Sequence, residues 1–187
     1  EVLVPDFTFP ATGHSVLYCG ATPIFIDADL QTYNLDVNKI EEKITEKTKA
    51  IIPVHQHGQP ANMDKVKRIA EKYSLFVVED AACALGAKWN DSFVGTIGDL
   101  GCFSFYPTKI LGGYGNGGFI STNSSKLFQK VRRIRFYGIE LFDKKNKFNK
   151  KYYANEHGIN SRLDEIHATI LNIKLAHVEN YINKRKK

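Results

Sequence analysis

Lys109 stands where an apolar run, Gly101 to Phe105, meets a proline and then the glycine-rich stretch Gly112-Gly-Tyr-Gly-Asn-Gly-Gly118. A lysine so placed is partly desolvated, which disfavours its ammonium form and makes the amine a candidate nucleophile for a carbonyl. The glycines permit positive φ and close approach of the backbone to a ligand or a neighbouring chain. A second apolar run, Leu75-Phe-Val-Val-Glu-Asp80, ends in two acids. In open parallel sheets ligands bind beyond the carboxyl ends of the strands, so Asp80 is expected to face the same crevice as Lys109. There it either supports charge chemistry or caps a helix beginning at Ala81. Ser104, five residues before Lys109, offers a hydroxyl to a phosphate.

An amine nucleophile and a carboxylate in one crevice match the needs of pyridoxal chemistry. The carboxylate keeps a pyridine nitrogen protonated, and the ring then accepts electrons from a neighbouring carbon.

Positioning these groups requires strands that end together, and the chain has the pattern for it. Short β-branched and aromatic runs predict strands at Val2–Val4, Pro23–Asp27, Ala50–Val54, Leu75–Glu79, Gly101–Phe105 and Gly118–Thr122. Between them, apolar spacing predicts helices over Ala11–Cys19, Leu35–Thr45, Met63–Tyr73 and Ser124–Tyr137, and a long closing helix over Leu163–Lys184. Strands alternating with helices imply an α/β fold, three layers around a mostly parallel sheet.

Composition narrows the function classes. The 187 residues carry 43% hydrophobic and 25% charged residues, the proportions of a globular domain. The net charge of +6 is concentrated in Lys144, Lys145, Lys147, Lys150 and Lys151 and at the Lys184–Lys187 end. Those clusters read as solvated surface compatible with an anionic substrate, and no nucleic-acid partner is expected. No apolar run is long enough to span a bilayer, so no membrane partner is expected and the expected location is cytoplasmic. Cys19, Cys83 and Cys102 are odd in number and widely spaced, and read as reduced packing residues.

Several segments agree in order and spacing with a known group. Glu79-Asp-Ala-Ala-Cys-Ala84, Gly98-Asp99, Phe103-Ser-Phe-Tyr-Pro-Thr-Lys109 and Gly115-Asn-Gly-Gly118 resemble the DegT/DnrJ/EryC1/StrS aminotransferases, which act on nucleotide-linked keto sugars. Val4-Pro-Asp-Phe-Thr-Phe-Pro-Ala-Thr12, Gly20-Ala-Thr-Pro23, Pro53-Val-His55 and Asn160-Ser-Arg-Leu-Asp-Glu165 extend the resemblance over the whole chain.

The resemblance implies the large domain of an aspartate-aminotransferase-like, fold type I transferase dependent on pyridoxal 5'-phosphate. Residues 1–162 would be the cofactor-binding domain without its N-terminal phosphate turn, and 163–187 a helix leading to a smaller C-terminal domain. It implies Lys109 as the Schiff-base lysine, Asp80 as partner of the pyridine nitrogen, Ser104 as a phosphate ligand and Phe9 as the aromatic stacked on the ring. Asn160 would reach the phosphate in the neighbouring subunit, which makes a homodimer with a shared site. His55 and Tyr106 are expected on the substrate side, with His55 equally readable as a core histidine. The implied partners are L-glutamate and a nucleotide-diphosphate keto sugar, and Phe105-Tyr-Pro with Gly58-Gln-Pro favours C3 over C4.

Two positions depart from the family pattern. Cys83 stands near the cofactor where the family has Gln, and Asn116 where it has Asp or Glu. The alternatives are an inactive truncated chain, or a sugar dehydratase of the same fold, in which histidine replaces the lysine that this chain keeps.

Overall fold

A computed structural model of the chain describes residues 1–139 and 153–186. The lysine-rich loop expected over residues 143–151 lies outside them. The elements follow the order β1 (Val2–Pro5), α1 (Ala11–Tyr18), β2 (Pro23–Ile26), β3 (Ala50–Ile51), α2 (Met63–Tyr73), β4 (Phe76–Asp80), β5 (Lys88–Trp89), β6 (Ser92–Phe93), β7 (Leu100–Ser104) and β8 (Gly118–Ser121). Three helices close the chain: α3 (Ser125–Ile134), α4 (Glu165–Leu175) and α5 (Val178–Arg185).

Six strands form one sheet in the order β2-β1-β3-β4-β7-β8, parallel except for β8, which runs antiparallel to β7. Alternation along the strands divides its faces. Leu3, Ile51 and Val77 lie on one face, in register through β1, β3 and β4, and meet Met63, Val66, Ile69 and Ala70 of α2 in the main core. Those four side chains recur at helical spacing, so one stripe of α2 is apolar while Asp64, Lys65, Lys67 and Arg68 remain outside. Asn62 caps the helix by accepting from the Lys65 N–H at 3.1 Å. The opposite face carries Val4, fully buried, and receives α1, whose Thr12 bonds Asp80. Helix, sheet and helix are the three expected layers.

Two helix expectations are corrected. Over Leu35–Thr45 there is no α-helix, only a 3-10 turn at Glu41–Lys43, although Ile40 is fully buried and Ile44 packs against the same core. The Asp36 carboxylate accepts the Asn38 N–H, and the Thr48 hydroxyl accepts the Thr45 N–H, so short polar side chains take amides that a helix needs. The expected helix Leu163–Lys184 is two, α4 and α5, separated at Ala176–His177. The break lets Leu171 of α4 and Val178 of α5 both pack on Phe105 and Leu111. Among the described residues no helix is long and apolar enough to cross a membrane.

Candidate active site

The carboxyl ends of β4 and β7 lie side by side, with Asp80 in register with Cys102 and Ser104 two residues further on the same face. Parallel strands deliver their last residues to one edge, which is why residues far apart in the chain converge there. Asp80 is half-buried, and both of its oxygens have partners: Oδ2 accepts from the Thr12 hydroxyl at 2.8 Å and Oδ1 from the Ala82 N–H at 3.1 Å. No helix begins at Ala81; one oxygen instead caps the turn after β4 while the other faces α1. Thr12 is itself 3.0 Å from the Thr8 hydroxyl, and the Thr12 N–H donates to the carbonyl of Phe9. Phe9, 77% exposed, thus projects one turn before the threonine that holds Asp80.

Lys109 sits in a loop stapled at its base. Phe105 donates its N–H to Gly117 O and accepts the Gly113 N–H, both at 2.7 Å, and the Lys109 N–H donates to Tyr106 O at 2.9 Å. The side chain is half-buried, and Nζ lies 2.9 Å from Cys83 Sγ. Both line a cavity of about 470 Å³ with His57, Thr108, Ile110 and Arg185. Arg185 reaches this cavity from α5 by donating to Thr108 O at 2.7 Å.

The glycine stretch works by close approach. None of the glycines from Gly112 to Gly118 has positive φ. A Cβ at Gly112 would strike the Pro107 carbonyl, and one at Gly113 the imidazole of His167. His167 Nε2 accepts the Tyr114 N–H at 3.0 Å, and Lys174 donates to Gly112 O, so α4 clamps the loop that carries Lys109.

Ser104 is partly buried, and its Oγ accepts the Tyr106 N–H at 3.1 Å. Tyr106 is half-exposed beside it. Asn160 is exposed, bridges to Phe136 and accepts from Arg162 Nε at 3.2 Å.

Of the two readings of His55, its position is that of a core residue. It is fully buried; Nδ1 accepts the Ala61 N–H at 3.0 Å, so the proton resides on Nε2 and is donated to Glu79 at 2.9 Å. No ring nitrogen remains for a substrate. Glu79, also fully buried, accepts further N–H groups from Gly95, Ile97 and Gly98 at 2.6–2.7 Å. Burial pushes its carboxyl up, but the bonds from His55 and from the Gly98 and Gly95 amides prevail and hold it below the ordinary value.

Thr12, His57, Arg185 and His167 were not singled out by the sequence. Thr12 lies within a recognised segment, but its partner is 68 residues away, and no local spacing announces such a contact.

The fold is a mostly parallel α/β sheet with helices on both faces, and it brings a lysine in a glycine-rich loop, a carboxylate and a hydroxyl to the ends of its strands. The chain belongs to the DegT/DnrJ/EryC1/StrS aminotransferase family, whose model matches residues 1–187. It is 46% identical over its whole length to a "pleiotropic regulatory protein" of Geobacillus stearothermophilus. It is 44% identical over the same span to a UDP-N-acetyl-3-dehydro-alpha-D-glucosamine 3-aminotransferase of Acidithiobacillus ferrooxidans. The chain spans about half the length of these curated relatives, 48% of each. Among solved structures, S. venezuelae DesV in complex with a ketimine intermediate superposes with a TM-score of 0.87 at 39% identity, over 96% of this chain and 46% of that one.

Proposed function

We propose that the whole protein is a pyridoxal-phosphate-dependent aminotransferase that moves an amino group from glutamate to a keto group of a nucleotide-diphosphate-linked deoxy sugar, at C3 in preference to C4. The carrying observation is the Lys109 amine, held in a stapled loop on a cavity at the carboxyl ends of β4 and β7. The residues fit the cofactor: an amine for its aldehyde, a half-buried carboxylate for its ring nitrogen, an exposed aromatic for its face and a strand-end hydroxyl for its phosphate. The name of the Acidithiobacillus relative supports the C3 position.

When bound, the cofactor supplies an electron sink that stabilises the carbon from which the amino group departs or to which it is added. Lys109 would hold the cofactor through Nζ, and the same amine, when free, is placed to carry a proton to and from the reacting carbon. Asp80 would hold a positive charge at the ring nitrogen, a preorganised electrostatic role. Thr12 fixes Asp80. Ser104 would offer its hydroxyl to the phosphate, Phe9 would supply an aromatic face for the ring, and Tyr106 would border the substrate. Asn160 would complete the phosphate site of the partner subunit in a cytoplasmic homodimer.

Borohydride reduction of the full-length protein loaded with pyridoxal phosphate should leave the cofactor fixed on Lys109, in the tryptic peptide Trp89–Lys126. Incubation with glutamate and 3-keto nucleotide sugars should release 2-oxoglutarate. A fixed adduct that persists in Lys109→Ala would overturn the assignment.

A further inference from the structure

We propose that Cys83 and Lys109 form an oxidation-sensitive modification site, in which a peroxide converts the thiol and the amine into a reversible sulfur–nitrogen crosslink. The two atoms lie 2.9 Å apart, and both side chains are half-buried on the same cavity, open to a small oxidant. The fold holds both partners in place. Cys83 lies in the turn after β4, which is fixed by the Ala84 N–H to Ala81 O bond and by the Asp80 cap on Ala82. Lys109 lies in the loop stapled through Phe105 and clamped by α4. A bond between them therefore requires no rearrangement of the backbone.

The chemistry closes with hydrogen peroxide as the oxidant. The thiol is oxidised by two electrons to a sulfenic acid as the O–O bond is reduced, releasing one water. The uncharged Lys109 amine then attacks the sulfur, the S–N bond forms, and hydroxide leaves with the amine proton as a second water. Two equivalents of a small thiol reverse the product, restoring Cys83 and Lys109 and leaving as a disulfide.

The other two cysteines serve as internal controls. Cys102 is partly buried, and burial together with the neighbouring Asp80 charge pushes its thiol up to about 11, so it stays protonated and slow to oxidise. Cys19 is exposed and makes no hydrogen bond to an amine among the described residues. Oxidation at Cys19 therefore stops at the acid or goes on to higher oxides, with no lysine among the described residues bonded to it. The proposal rests on the Cys83–Lys109 geometry and not on the proposed function, and the crosslink forms on the free amine of Lys109. A cofactor on Lys109 would compete with it for the amine.

The test takes the full-length protein, freed of any cofactor with hydroxylamine, treats it with hydrogen peroxide and digests it with trypsin. The expected product joins Tyr73–Lys88 to Trp89–Lys126, uncut at Lys109 and lighter by two hydrogens than the sum of the two peptides. Dithiothreitol should separate the peptides and restore cleavage at Lys109. Cys83→Ala should abolish the product. Lys109→Arg should replace it with a sulfenic acid at Cys83 that dimedone captures. The proposal fails if Tyr73–Lys88 is joined to Trp89–Lys109, which is a Cys83–Cys102 disulfide. It fails equally if Cys83 stays reduced or is driven to the sulfonic acid with Lys109 still cleaved. The borohydride adduct on Lys109 is read in unoxidised protein, so the two assignments stand or fall separately.

Discussion

Glu79 and Asp80 are consecutive carboxylates at the end of one strand, and they live in opposite worlds. Alternation turns Glu79 to the α2 side of the sheet, where it is fully buried and accepts from the His55 ring and three backbone amides. Asp80 faces the other side, half-buried, with one hydroxyl and one amide as partners. A carboxylate whose lone pairs are all engaged inside the core organises the backbone around it. A carboxylate with capacity left over at a strand end is available to a ligand. The saturated Glu79 site gathers the Gly95–Gly98 turn against β4, and so fixes the approach to β7 on which Ser104 and the Lys109 loop depend.

The largest effect should come from breaking the saturated side. Glu79→Gln places an amide NH₂ among donors that need an acceptor, and about 3–5 kcal/mol of stability should be lost, read as a fall in the urea midpoint of the full-length protein. Activity should fall only as the folded fraction falls. Acid should reproduce part of this. The folded carboxyl of Glu79 lies below its ordinary 4.5, so its contribution is fully present above that value and is lost as pH falls through the lowered one. Wild-type stability should therefore decline with acid in that window, and Glu79→Gln should flatten the decline. An unchanged slope would show that the buried network is not what acid attacks.

On the open side the expected pattern reverses. Asp80→Asn retains an oxygen for the Ala82 N–H and an amide that can face the Thr12 hydroxyl, so stability should change by less than about 1 kcal/mol. Transamination should drop about a hundredfold or more, because a neutral amide does not hold a positive ring nitrogen. Stopped-flow half-reactions with glutamate would measure it. A variant that unfolds while its residual rate per folded molecule is normal would make Asp80 a cap and nothing more.

The sequence made some of this contrast legible. Strand positions follow from apolar runs, and the α2 stripe from helical spacing, because both periodicities reflect burial on one face. The positions of Asp80 at the end of β4 and of Lys109 in the loop after β7 follow from the apolar runs that precede them. His55 was ambiguous because a Pro-Val-His run looks the same whether its ring turns inward or outward; the Ala61 amide and Glu79 decide it. The hairpin of β5 and β6 turns at Asn90, with φ of 52°, on an Asn-Asp pair, too short a signal to predict two strands of two residues each. The helix expected over Leu35–Thr45 failed because Ile40 and Ile44 are apolar for the core, with no helix needed to bury them. The Cys83–Lys109 and Thr12–Asp80 contacts join residues 26 and 68 positions apart. Only the assembled sheet brings them together.

The smallest effect, and the sharpest for the comparison, concerns Thr12. It is 4% exposed, and its hydroxyl is the link between α1 and the Asp80 carboxylate. Thr12→Val keeps the shape and the β-branch and removes that one donor, at about 1 kcal/mol. If Asp80 works by holding its carboxylate at a set position, the loss should appear in catalysis as roughly a tenfold slower glutamate half-reaction, with the urea midpoint moving little. Thr12→Ser, which restores the donor, should recover most of the rate. Combined with Asp80→Asn, the valine variant should cost almost nothing further, because the group it positions is already gone. Full additivity of the two losses would mean that Thr12 acts through α1 packing. The open side of β4 would then be tuned by helix placement, and the hydroxyl on Asp80 would be incidental.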